Sequence, residues 1–100
     1  MNINMILDQY LFEWHSEKDI SNQEKHGISF SEAVLIWRDK NGIEGPANYV
    51  DGEIREVRIG NLDTTQVILV VFTYRWKAIR IISARPAHDF EKEIYEQGKE

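Results

Sequence analysis

The residues of this chain with the most chemistry to offer are Lys25-His26-Gly27, Arg55, Arg75 and the run Arg80-Ile81-Ile82-Ser83-Ala84-Arg85. Several of them sit on or beside apolar stretches, where solubility alone does not call for a charge. A guanidinium offers a planar fork of N–H donors that matches two oxygens of a phosphate. Arginines gathered together would therefore form a cradle for a phosphate-like anion. No rival site competes: there is no cysteine and no Gly-rich phosphate loop, and His15, His26 and His88 are far apart. No metal and no cofactor is expected, because no carboxylate or histidine spacing suggests a cage.

The 100 residues suit one small domain spanning 1–100, with 42% apolar and 29% charged residues. No apolar run approaches roughly 18 residues, so no membrane partner is expected. The opening Met1 to Leu7 has no basic start and meets Asp8 too early for a leader peptide. The lack of cysteine fits a reducing compartment, and the expected location is the cytoplasm. The net charge of −5 argues against a general nucleic-acid binder. Residues 55–85 nevertheless carry six basic side chains against two carboxylates, a balance of +4 that leaves −9 on the rest. A basic centre on an acidic body engages phosphate locally, while the remainder suits a basic partner.

These residues need positioning. Leu11 to Trp14 reads as a short strand. Ser16 offers an N-cap and Gly27 a stop for a polar helix whose main apolar residue is Ile20. Ser29-Phe30-Ser31-Glu32 is a capping box, and Phe30, Ala33, Val34 and Trp37 give the next helix a core-facing stripe. Asp39 to Gly42 ends it. Residues 43–52 read as a loop or an edge strand between two turn signals. From Arg55 the pattern is β: Arg55, Val57 and Ile59 alternate with Glu56, Arg58 and Gly60. A turn follows at 61–65, then an apolar strand from Val67 to Phe72, a hairpin at Arg75-Trp76-Lys77 and a partner strand from Ala78 to Ala84. Pro86 suits a first helical position, with Phe90, Ile94 and Ala87 as the last helix's buried stripe. The expected fold class is α+β, an antiparallel sheet of three to four strands with helices packed on one side.

The ordered set Phe12-Glu13-Trp14, Asn22 to Gly27, Ser29 to Ala33, Gly52-Glu53 with Arg55, Val70-Val71 before Thr73, Arg75, Arg80 to Arg85, and Glu91 with Tyr95 resembles the BrnT family over about residues 11–96. That resemblance implies a RelE-like toxin fold and an endoribonuclease toxin of a type II toxin–antitoxin module that inhibits translation. The partners it implies are RNA and a BrnA-like antitoxin, with operator DNA touched only through the antitoxin, as a dimer or a 2:2 complex. His15 stands where the family usually has Asp, and Pro86 where it usually has a basic residue.

RNA cleavage without a metal needs a base for the 2′-hydroxyl, an acid for the 5′-oxygen and donors for charge building on phosphorus. Arg55, Arg75 and Arg85 fit the third role, and Arg80 either joins them or faces solvent. Lys25, His26, Glu53 and Tyr95 are the candidates for proton transfer. Trp76, with Lys77 beside it at a hairpin tip, is a candidate for base stacking. Plainer readings exist for each. Lys25-His26-Gly27 reads equally as a basic helix end closed by glycine. Trp14 and Trp37 read as core, Arg58 and Lys77 as solvated charges, Arg85 as a partner of Asp89 or Glu91, and Tyr95 as a ring packed on the sheet. Two alternatives to a nuclease follow: a toxin-fold module that binds antitoxin or RNA without cleavage, and a regulatory protein whose arginines only pair internally.

Overall fold

The computed structural model describes residues 1–63 and 65–99; positions 64, within the expected 61–65 turn, and 100 lie outside. The elements run β1 (Asn2–Leu7), β2 (Tyr10–His15), α1 (Ser16–His26), α2 (Phe30–Ala33) with a 3-10 turn over Val34–Arg38, β3 (Ile43–Val50), β4 (Glu53–Asn61), β5 (Val67–Arg75), β6 (Ala78–Pro86) and α3 (Asp89–Gly98). One six-stranded sheet has the order β1-β2-β6-β5-β4-β3. The α+β class stands, but the sheet is larger than three or four strands, and it is mixed. β2 lies parallel to β6, with Phe12 opposite Ile79 and Glu13 opposite Arg80. All other pairs are antiparallel.

The two extra edge strands have readable causes. In β1, Ile3, Met5 and Leu7 alternate with Asn2, Asn4 and Ile6, and Asp8 at φ 57° turns the chain back into β2. β3 is joined to β4 through Asp51-Gly52, both with positive φ, the backbone a two-residue hairpin asks for. A register shift between Pro46 and Asn48 accommodates a proline that cannot donate to a ladder.

Alternation along the strands assigns the sheet two faces. The first is covered by α2 and the 3-10 turn: Phe30, Ala33, Val34, Ile36 and Trp37 pack on Phe12, Trp14, Ile68, Val70, Phe72 and Ile81. The stripe expected from Phe30 to Trp37 is therefore the core. Its Ser29–Glu32 capping box is formed, with Ser29 Oγ accepting from the Glu32 N–H at 3.1 Å and Glu32 Oε1 from the Ser29 N–H at 3.1 Å. The second face is covered only at one end, where Tyr95 of α3 packs on Ile59 and Leu69. Helices thus lie on both faces rather than on one.

α1 runs along the edge of β6 beyond the point where β2 leaves it. Asn22, buried on α1, makes the join. Its amide accepts from the Ala84 N–H (3.1 Å) and donates to the Ala84 carbonyl (2.8 Å), as a neighbouring strand would, and donates to the Ile28 carbonyl as well (2.9 Å). The helix ends at Gly27 in the left-handed conformation (φ 72°), as expected from its lack of a Cβ. Its N-cap is His15 rather than Ser16: imidazole Nδ1 accepts the Glu17 N–H, the duty an aspartate would perform there.

α3 departs further. Pro86 closes β6 instead of opening the helix, and His88 is the N-cap, its N–H donating to Glu91 Oε1 at 2.8 Å. Phe90 and Ile94 are exposed while Glu91 and Tyr95 are buried, so the apolar stripe read from the sequence points outward.

Candidate functional site

The uncovered part of the second face carries the arginines. Arg55 stands on β4, Arg75 on β5 and Arg80 on β6, with Glu53 on β4 and Glu13 on β2 among them. Arg75 grips Glu53 with two prongs (Nε to Oε2 2.7 Å, a terminal nitrogen to Oε1 2.9 Å). Arg80 donates to Glu13 at 2.7 Å. The hydrogen bonds from Arg75 hold the Glu53 carboxyl below its usual value; partial desolvation opposes this, and the charges of Arg75, Arg55 and Arg80 add to the lowering. Arg55 differs from its neighbours. Its Nε is buried without a hydrogen-bond partner, and among the described residues it makes no ion pair.

A β-bulge puts Arg80 and Arg85 on the same face. Separated by five positions, they would point to opposite sides of a regular strand. The β5–β6 register shifts between Val71 and Phe72, leaving Ile82 as an extra residue, so that Arg80 faces Thr73 and Arg85 faces Leu69. Arg85 nevertheless does not join the cluster. It makes a two-pronged pair with the buried Glu91 (2.8 and 2.9 Å), tying β6 to α3. Tyr95 is also apart: fully buried, its hydroxyl donates to Asp39 at 2.5 Å. Burial first, and then the neighbouring Asp39, push the phenol pKa up.

Lys25 and His26 lie across β6 from the arginines. They line a groove of about 500 Å³ between α1 and β6, together with His15, Glu17, Lys18, Ile82 and Ser83. At the β5–β6 hairpin tip Trp76 is 96% exposed with φ 59°, and Lys77 beside it is exposed. Arg58, read as a solvated charge, instead lies 5.4 Å from the Trp37 ring on the first face and pairs with Glu44 at 2.7 Å. The structure therefore brings together Glu53, Arg55, Arg75 and Arg80, sets Lys25 and His26 in an adjoining groove, and places Arg85 and Tyr95 in internal contacts. Glu13, Lys18 and Ser83 stand in or beside the site without being among the residues expected there. Glu13 was readable only as the polar position of a strand, and its place opposite Arg80 depends on the parallel pairing.

A small α+β protein with guanidinium groups on an open sheet face is equipped to hold an anion. The family model described as "Ribonuclease toxin, BrnT, of type II toxin-antitoxin system" matches residues 14–91, and the chain belongs to that family. It is a ribonuclease toxin of a type II toxin–antitoxin system, and that class implies an antitoxin partner. Among solved structures it is similar to the Brucella abortus ribonuclease toxin BrnT, determined at 1.1 Å, with 25% identity, coverage of 76% of this chain and 94% of that chain, and a TM-score of 0.62. No curated protein sequence matches the chain. No helix among the described residues is long and apolar enough to cross a membrane.

Proposed function

We propose that this toxin cleaves RNA without a metal on the uncovered sheet face, with the scissile phosphate held by Arg55, Arg75 and Arg80. The observation that carries this is Arg55, a half-buried guanidinium with no ion pair among the described residues, beside arginines already engaged by carboxylates. The terminal nitrogens of such a fork suit the oxygens of a phosphate. In the reaction the 2′-oxygen loses its proton and bonds to phosphorus while the bond to the 5′-oxygen breaks. The leaving oxygen takes a proton and a 2′,3′-cyclic phosphate remains. Glu53 serves as the base: a phosphate that takes over Arg75 frees the carboxylate and removes the hydrogen bonds that lower its pKa. Lys25 and His26, beyond β6, hold the adjoining stretch of RNA, with His26 the available proton donor. Trp76 and Lys77 extend the surface at the hairpin tip.

The setting is the cytoplasm, where cleavage inhibits translation and a BrnA-like antitoxin neutralises the toxin. Operator DNA is reached through that antitoxin, in a 2:2 complex that light scattering on the co-purified pair would size. The test of the activity is cleavage of single-stranded RNA by purified protein in excess chelator. Arg55→Ala should lower the rate by about 100-fold or more, as for loss of one preorganised donor, with the melting temperature measured alongside. Arg55→Lys should recover only part, since it keeps the charge without the fork. Unchanged cleavage by the alanine variant would remove Arg55 from the site. The engagement of Arg75, Arg80 and Arg85 by carboxylates favours a second reading, a module that binds RNA without cutting it; RNA binding with no cyclic-phosphate product would select it.

A further inference from the structure

We propose that the groove between α1 and β6 is a binding track for the backbone of single-stranded RNA, with Lys18 and Lys25 as phosphate contacts and Ser83 as a hydroxyl contact. This rests on the ribonuclease reading and extends it to residues that none of the comparisons assigns. Four observations carry it. Lys18 and Lys25 are seven residues apart on α1, two turns and so on one side of the helix, about 10 Å apart along its axis. Both are exposed and both line the same groove. Neither makes an ion pair among the described residues, in contrast to Arg75, Arg80 and Arg85. The opposite wall is the bulge itself, where Ile82 and Ser83 both reach the groove because the extra residue breaks the alternation.

The groove is also held open and held in place. Asn22, between Lys18 and Lys25 on the helix, is bonded to both backbone groups of Ala84, so the distance from the lysines to the β6 wall is set by buried hydrogen bonds rather than by loop packing. Ser83 lies on the same strand, and opens toward the same face, as Arg80. RNA leaving the groove over Ser83 therefore meets the arginine cluster directly. On a chain of net charge −5, affinity for a polyanion has to come from such local contacts. An acidic segment of a protein partner would meet the same lysines, but it would not need the continuity with Arg80 and Arg55.

The test is fluorescence anisotropy with an uncleavable single-stranded 2′-O-methyl RNA over a series of sodium chloride concentrations, comparing the full-length wild type with Lys18→Gln and Lys18→Arg. Lys18 is solvent-exposed on a helix, so the substitution leaves folding intact, which a melting curve verifies. Loss of one phosphate contact should weaken binding at low salt and lower the magnitude of the slope of log K against log salt by about 0.7, and the arginine variant should restore both. An affinity and slope equal to wild type in Lys18→Gln would overturn the track, and RNA cleavage by the same preparation would then leave the nuclease reading standing. Normal loss of slope without any cleavage by the wild type would keep the track and sink the nuclease reading. A wild type that binds the antitoxin but not the RNA, with antitoxin affinity lowered by Lys18→Gln, would reassign the groove to the protein partner.

Discussion

Glu53 accepts from Nε and one terminal nitrogen of Arg75, an edge of the guanidinium whose two donors would equally fit two phosphate oxygens. At the proposed site a phosphate would therefore compete with the carboxylate for that edge. Glu53→Gln should release Arg75, so that an uncleavable RNA binds more tightly while the rate of cleavage falls, because the candidate base is gone. Binding and single-turnover rates measured on the same variant check this. Weaker binding would mean that Glu53 orients Arg75 for RNA rather than blocking it.

Glu91 links stability to pH. Its carboxyl is held below the ordinary value of 4.5, first by hydrogen bonds from Arg85 and then by the His88 N–H and the charges around it, against the opposing effect of burial. A carboxyl lowered in the folded state binds its proton more readily when unfolded. Its contribution is therefore complete well above 4.5 and is lost as pH falls below that value toward the folded one. Glu91→Gln should reduce stability at neutral pH by about 1.5–3 kcal/mol and flatten the acid side of the stability curve. Urea titrations at pH 7 and pH 3.5 would show it; an equal loss at both pH values would assign the effect to packing.

What could be read in the chain was local. Gly27 as a helix stop and Ser29 with Glu32 as a capping box involve residues within a few positions of each other, and both are found as expected. The alternation of Ile3, Met5 and Leu7 with Asn2, Asn4 and Ile6 is likewise a local mark of β1. The parallel pairing of Glu13 with Arg80 joins residues 67 positions apart, which no local pattern reports. The bulge at Ile82, which decides that Arg80 and Arg85 share a face, leaves no mark on composition. α3 departs from its expected orientation for a related reason. Glu91 and Tyr95 are buried because Arg85 and Asp39 receive them, and these tertiary partners outweigh the apolar character of Phe90 and Ile94.

Trp76 is strained as well as exposed. A left-handed backbone costs an L residue about 1–2 kcal/mol, and glycine recovers most of that less its own entropy. Trp76→Gly should therefore raise stability by about 0.5–1 kcal/mol. If the ring stacks on a base, the same variant should lose about 1–3 kcal/mol of affinity for single-stranded RNA. Equal RNA affinity in wild type and variant would leave the exposed indole without a role in binding bases.

Asp39 is the point at which α3 is fastened. Burial pushes its carboxyl up, but the Asn61 N–H (2.8 Å), the Tyr95 hydroxyl (2.5 Å), the Asn41 N–H (2.9 Å) and the charge of Arg58 bring it below its ordinary value on balance. Three donors from three parts of the chain thus converge on one side chain at the end of the 3-10 turn. Tyr95→Phe deletes one of them and leaves the ring in place against Ile59 and Leu69. Stability at neutral pH should fall by about 1–3 kcal/mol for loss of one hydrogen bond to a half-buried carboxylate, and the deficit should narrow toward acid, since the hydroxyl helps hold Asp39 ionised and that contribution fades once the carboxyl is protonated. RNA cleavage by the folded protein should be unchanged, because the tyrosine is buried away from the uncovered face. Denaturant melts and cleavage rates taken well below the midpoint separate the two effects. A folded Tyr95→Phe protein that has lost cleavage would bring the phenol back into the chemistry.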